Sequence, residues 1–278
     1  MKARALLRRL YEAALAGADP EAAVRRALAR HDVARALSGA RRVGVFAVGK
    51  AAARMAAGTV AAAPERRLVV LPRGHPAPGL PRRDVLFASH PEPDAASARA
   101  ARKALAFFRC FGPGDVILCL VSGGTSSLLA LPRRGLTLSE KRRRVRALAA
   151  SGASILALNR LRTSLSAIKG GRLGSATRAR LVTLVLSDVP GDRAAAVGSG
   201  PTVRGRRGDL VRIVGSNRSG LEAAAALARR LGLRVARVPG RLSGEARAAG
   251  RRLARAAARL TPGGILLGGG ETTVTLGA

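Results

Sequence analysis

Tryptophan is absent from this 278-residue chain, and aromatic residues make up 2% of it. That leaves no platform on which the bases of a single-stranded nucleic acid could stack. Cys110 and Cys119 are the only cysteines, with no metal-ligand spacing. Neither a metal site nor a disulfide is expected from them; Cys119 reads as a small core residue within an apolar run, which suits a reducing cytoplasm. No stretch of about 18 uncharged apolar residues occurs, so no membrane span is expected. The N-terminal stretch through Leu28 carries arginines inside its apolar pattern and reads as helix, not as a secretory signal. Its arginines weakly resemble those of a mitochondrial leader, but Glu12, Asp19 and Glu21 argue against that reading.

Acidic residues are scarce: 16, against 50 basic ones, for a formal charge of +34. Charge of that size by itself suggests a nucleic-acid partner. The bias has a simpler origin. Lys2, Lys50, Lys103, Lys141 and Lys169 are the only lysines, so arginine supplies nearly all the positive charge, and alanine, glycine and proline are abundant too. These four residue types share GC-rich codons. The basic residues are also dispersed, with no dense tail, so no specific nucleic acid is expected as a partner. In such a chain a lysine beside glycines stands out, because a compact ammonium approaches a phosphate in a way that a guanidinium does not. Lys50 in AVGKAA and Lys169 in IKGGRLG are the two cases.

The pattern alternates strands and helices. Helices are expected over 3–17, 20–37, 50–62, 95–109, after Thr137, over 217–231 and in the SGEARAAGRRLARAAARL stretch. Asp94 is a candidate cap, and Thr137 with Glu140 has capping-box spacing. Strands are expected near 42–47, 67–71, 84–88, 115–121, 181–187, 233–238, 264–267 and 272–276, the last two as a hairpin. Near-continuous apolar strands between helices imply an α/β fold, Rossmann-like, with a mainly parallel sheet and helices on both faces. Ligands in such folds bind at the carboxyl ends of strands, where the notable loops here lie.

The segment SGGTSS at 122–127 is the first of these loops. Gly123 and Gly124 permit a nest of inward N–H groups, Ser122, Thr125 and Ser126 offer hydroxyls, and a helix beginning after Thr125 would add positive partial charge. A tight strand-to-helix turn explains the same residues, and the spacing is not that of a P-loop. Gly49-Lys50 puts a cation at a strand end and helix start, an unfavourable place unless an anion shares it; a solvated first-turn lysine is the plainer alternative. Asn159, Arg162, Ser166 and Lys169, spaced 3, 4, 3, form a polar stripe beside an apolar one of Leu158, Leu161, Leu165 and Ile168. The stripe holds cations and hydrogen-bonding groups without an acid, as an anionic ligand needs, and also as an arginine-rich surface would show. Asp188 and Asp192 in LSDVPGD can hold Mg2+ or take a proton from a hydroxyl, or serve only the turn. His75 and His90 each precede proline in extended segments and can be bases, ligands or ordinary loop residues.

In order along the chain, VGKAAARMA, SHPEPDAASARAARKAL, LVSGGTSSLLALP, SGASILALNRLRTSLSAIKGGRLG, LSDVPGDRAAAVGSGPT, NRSGLEAAAALARRLGL and GGETTVT resemble the MOFRL-type glycerate 2-kinases over essentially the whole chain. The resemblance implies a phosphotransferase that moves phosphate from ATP, with Mg2+, to D-glycerate, giving 2-phosphoglycerate in the cytoplasm. It implies a Rossmann-like N-terminal domain, 1–262 here, and the beginning of a C-terminal MOFRL domain at 263–278. That second domain is then truncated, and with it an arginine-bearing GGRNQE-like motif. Lys50 matches the family's important lysine. Implied roles are Lys50 and Asp188 in catalysis; Gly49, Ser122, Gly123, Gly124, Thr125 and Ser126 at the nucleotide phosphates; Asn159, Arg162, Lys169 and Glu271 at the substrate; and Asp188 and Asp192 at the metal. SGGTSS departs from the family's more frequent third glycine followed by Ser-Ala, so Thr125 can crowd a phosphate. The truncation leaves open an inactive fragment or one half of a split kinase that needs a separate C-terminal domain, and a homo-oligomer is equally open. A hydroxypyruvate reductase-like enzyme is less favoured, because no G-x-G-x-x-G follows the first strand; a basic nucleic-acid-binding protein rests on charge alone.

Overall fold

The computed structural model describes residues 3–153 and 155–274. In chain order it runs α1 (Ala3–Gly17), α2 (Pro20–Leu28), α3 (His31–Ser38), β1 (Val43–Val48), α4 (Ala52–Ala57), β2 (Arg66–Pro72), β3 (Val85–Ala88), α5 (Ala95–Arg109) and β4 (Val116–Val121). It continues with α6 (Thr125–Leu128), α7 (Leu138–Ala150), α8 (Ile155–Ser164), β5 (Arg180–Leu186), β6 (Leu210–Gly215), α9 (Asn217–Arg230), β7 (Arg234–Arg237), α10 (Ala246–Ala258) and β8 (Gly264–Leu267).

The chain divides into two compact units, Pro20–Val214 and the two flanking stretches taken together. The larger unit is built on a six-stranded sheet of order β3-β2-β1-β4-β5-β6, and the four strand pairs from β3 to β5 are parallel. The expected α/β fold is present. Its central strands are largely buried, VILCLV of β4 at all six positions. Successive side chains point to opposite faces, so β1 sends Phe46 and Val48 into one core and Val45 and Ala47 into another. The first core is covered by Ala100, Ala101, Ala104 and Phe108 of α5, the second by α2, α3 and α4. Helices therefore lie on both faces. Of the few aromatic rings, four meet in the first core: Phe46 lies 5.2 Å from Phe108, and Phe107 lies 5.2 Å from Phe111.

The expected caps are in place. The Asp94 carboxylate accepts from Ser97 N at 3.1 Å, and Thr137 and Glu140 bond reciprocally at 3.2 and 2.8 Å. The expected 20–37 helix is two helices. Val33 follows Val24 by nine positions, which at about 100° per residue is half a turn out of phase. Both are fully buried in the same core, so the chain must break between them, and it does so at Arg30 (ψ 137°). The expected 50–62 helix stops at Ala57; the capping residue, Gly58, lies against α2, where a Cβ would sit 2.7 Å from the Glu21 carbonyl. Strand β6 had no counterpart among the expected strands.

In the smaller unit α1 crosses α9 at small residues: a Cβ on Gly17 would lie 2.3 Å from that of Ala223. Strands β7 and β8 pair in parallel. Among the described residues no strand follows β8; Thr273 makes one bridge to Glu245, and residues 275 and 276 of the expected 272–276 strand lie outside the described residues. Both cysteines are free thiols, Cys119 buried. No described helix is long and apolar enough to cross a membrane.

Candidate functional site

From β1 the chain passes to β2 on one side, and from β4 it passes to β5 on the other. The carboxyl ends of β1 and β4 therefore flank the topological switch point, the crevice where open α/β sheets bind ligands. Val48 and Val121 are in register, so Gly49-Lys50 and the 122–126 loop leave the sheet side by side. They are locked together. Lys50 N donates to the Gly123 carbonyl at 2.8 Å, and Ala51 N donates to Ser122 Oγ at 3.2 Å. The Ser122 hydroxyl reaches the Val48 carbonyl at 3.3 Å; that of Thr125 lies within bonding distance of the Val48 and Ser122 carbonyls, at 3.1 and 2.8 Å. Only glycine fits at position 49, where φ is +123° and a Cβ would lie 2.1 Å from Ser122 Oγ.

Ser122 and Thr125 are thus buried fasteners between the two loops. What the loop presents instead is backbone. The N–H groups of Gly123 and Gly124 meet no acceptor among the described residues. The following helix, α6, is one turn long, too short for peptide dipoles to sum to much. Three titratable side chains surround these amides. A Cβ on Gly123 would lie 2.0 Å from Asp188 Oδ2; one on Gly124, where φ is +87°, would lie 3.1 Å from His90 Cδ2 and 3.3 Å from Lys50 Cγ. Lys50 and Asp188 are exposed and His90 is half-buried. Burial lowers the pKa of His90, and the charges of Lys50 and His75 lower it further against the opposing pull of Asp188, so the neutral imidazole is favoured.

Asp192 adopts φ +47°, and its Oδ1 is buried with no hydrogen-bond partner. Among the described residues no three His, Cys, Asp or Glu side chains gather at one point. A site offering one or two carboxylates would suit Mg2+, which keeps several waters in its shell, and would not suit an all-protein cage.

The polar stripe does not hold together as one helical face, because α8 ends at Ser164 and the chain turns before Ser166 and Lys169. Lys169 is nevertheless brought to the loop. It is 2% exposed, and its Nζ donates to the Ser126 carbonyl at 2.7 Å and to the Ser126 hydroxyl. Lys169 and Arg162 line a cavity of about 170 Å³ to which Ser126 also contributes. Burial, then the charges of Lys141 and Arg162, holds the Lys169 ammonium well below its ordinary pKa. Asn159 accepts from Arg162 Nη1 at 3.4 Å but faces a different cleft, with Thr163, Arg193 and Ser199. Glu271 is exposed and belongs to the smaller unit. Sequence reasoning passed over Lys141, which lines the same cavity as Lys169, because the criterion that singled out Lys50 and Lys169, a lysine beside glycines, does not apply to it in the run SEKRRRV.

A family model described as Domain of unknown function (DUF4147) matches residues 6–231. A protein of Agrobacterium vitis provisionally named a hydroxypyruvate reductase is 39% identical, over 100% of this chain and 72% of its own length. The glycerate 2-kinase of Pyrococcus horikoshii is 30% identical, over 96% of this chain and 73% of its own length. The crystal structure of a glycerate kinase from Thermotoga maritima matches with a TM-score of 0.84 at 28% identity, covering 98% of this chain and 75% of that one.

Proposed function

The chain belongs to the DUF4147 family, alongside relatives named glycerate kinase, and on that premise we propose that it transfers phosphate from ATP to the 2-hydroxyl of D-glycerate. The observation that carries the reading is the locked pair of loops at the switch point, with two unpartnered glycine amides between Lys50 and Asp188.

Phosphoryl transfer asks a protein mainly for positioning and charge stabilisation. In this reading the Gly123 and Gly124 amides hold phosphate oxygens. Gly49, Ser122 and Thr125 fix the loop that presents them. Lys50 neutralises charge on the transferring group, a role for which a point charge on a flexible stem is suited. Asp188 and Asp192 would hold Mg2+, which would supply positive charge against that of the phosphates. Arg162 and Lys169 face the acceptor, with Ser126 between them and the phosphates. Asn159 and Glu271 are assigned to the substrate on motif resemblance alone. Residues 1–262 are then the kinase's N-terminal domain and 263–278 the opening of its C-terminal domain.

The test is to incubate the protein with ATP, Mg2+ and D-glycerate and follow phosphorus by NMR. Formation of 2-phosphoglycerate supports the proposal. Oxidation of NADH or NADPH with hydroxypyruvate, with no ATP consumed in the presence of glycerate, would favour the reductase that one relative's name suggests.

A further inference from the structure

The one buried side chain of α7 is a lysine. Lys141 is 4% exposed, and its Nζ has no hydrogen-bond partner. An amphipathic helix ordinarily buries apolar residues, and a buried ammonium ordinarily finds a carboxylate or carbonyls. Here the helix turns its lysine inward, into the cavity lined by Arg162 and Lys169. That cavity has five cations in its wall, the other two being Arg142 and Arg146, against one carboxylate, Glu92. Glu92 is already engaged by Arg142 at 2.8 Å and by Arg146. The wall therefore carries uncompensated positive charge around about 170 Å³ of space, room for a group of a few heavy atoms and not for a nucleotide.

We propose that Lys141, Arg162 and Lys169 form an anion pocket beneath α7 for a single carboxylate or phosphate group, and that this group is the partner Lys141 lacks. Naming that group the carboxylate of the acceptor rests on the proposed kinase reaction; the pocket itself rests only on the burial and charge of these residues. Burial holds Lys141 at a pKa of about 8, with the Arg162 charge adding to the effect. The charged groups facing it are Arg142 and Arg146 on its own helix, Arg162 on α8, Lys169, and Glu92 of the segment before α5. An arriving anion favours the ammonium form. Binding should take up protons near pH 8 and weaken as pH rises through that value.

The test is calorimetric titration of the protein with D-glycerate, with inorganic phosphate and with uncharged glycerol, in two buffers of different ionisation enthalpy. Wild type should bind at least one anion but not glycerol, with proton uptake. Lys141→Met keeps the stem and removes the charge. It should weaken anion binding by about tenfold or more while raising the melting temperature of the ligand-free protein, since an unpaired buried charge is gone. Arg162→Gln, a second variant, should weaken binding in the same direction. Binding of phosphate alone, with the same Lys141 dependence, supports the pocket and removes its assignment to the acceptor. Failure of both anions to bind at about 10 mM, or unchanged binding by Lys141→Met, overturns the pocket. MgATP titrated in parallel reports separately on the Gly123 loop, so loss of one reading does not carry the other with it.

Discussion

Arg204 and Lys141 are both buried cations of the larger unit, and they are buried on opposite terms. Arg204, 6% exposed, meets Asp209 at 2.7 Å and donates to the carbonyls of Thr177 and Ala179, each at 2.8 Å, and of Gly174. Asp209 in turn accepts from Leu181 N at the amino end of β5, at 2.9 Å. The fold itself answers that charge. Among the described residues Lys141 has no such answer, Lys169 has only Ser126, and Lys50 stands exposed beside amides that meet no acceptor. The cost of desolvating a cation is met internally at the amino end of the sheet and left open near the carboxyl ends. Strand polarity separates the two: amino ends can be closed by structure, while carboxyl ends at a switch point are where ligands enter.

The largest effect should come from breaking the closed side. Arg204→Met strands Asp209 in a buried position and should cost about 3–5 kcal/mol of stability by urea unfolding; a loss under about 1 kcal/mol would erase the contrast. On the open side, Lys50→Ala should lower kcat for glycerate phosphorylation by about 10²-fold or more, with stability changed by less than about 0.5 kcal/mol because the side chain is exposed. A folded, fully active variant would remove Lys50 from the site. Gly123→Ala falls between these. Its Cβ would overlap Asp188 Oδ2 at 2.0 Å, so the carboxylate or the loop must shift, and the stability cost should be near 1 kcal/mol. The displaced carboxylate should show instead as a higher Mg2+ concentration for half-maximal activity. The smallest effect is a titration. Asp188 raises the His90 pKa and Lys50 lowers it, so Asp188→Asn should move the His90 midpoint down and Lys50→Ala should move it up. NMR of the three histidines reads both, and shifts of the opposite sign would break the arrangement around Gly124.

Much of the fold was legible because it is written in local chemistry. Apolar β-branched runs marked β1, β4 and β5, and Asp94 and Thr137 announced α5 and α7 through caps that need only nearby backbone. Strand β6 was missed; its Arg212 is held by Asp32 of α3 at 2.7 Å, a contact across 180 positions that the local sequence does not show. The break at Arg30 follows from which core receives Val33, a tertiary fact. At the site, Gly49, Lys50 and the 122–126 loop were found from their glycines and their place after strands. The duties of Ser122 and Thr125 were not, because a hydroxyl reads the same whether it faces a ligand or a neighbouring carbonyl. Lys141 was hidden in the run EKRRRVR, where only packing shows which cation turns inward.

In the proposed reaction the Gly123 and Gly124 amides hold the phosphates of ATP at the switch point. Titration of the 15N-labelled protein with MgATP, and separately with adenosine, tests it at the two atoms concerned. Both amide resonances should move and saturate with ATP but stay in place with adenosine, which has the base and sugar without the phosphates. Amides that remain unmoved while other resonances saturate with ATP would contradict it.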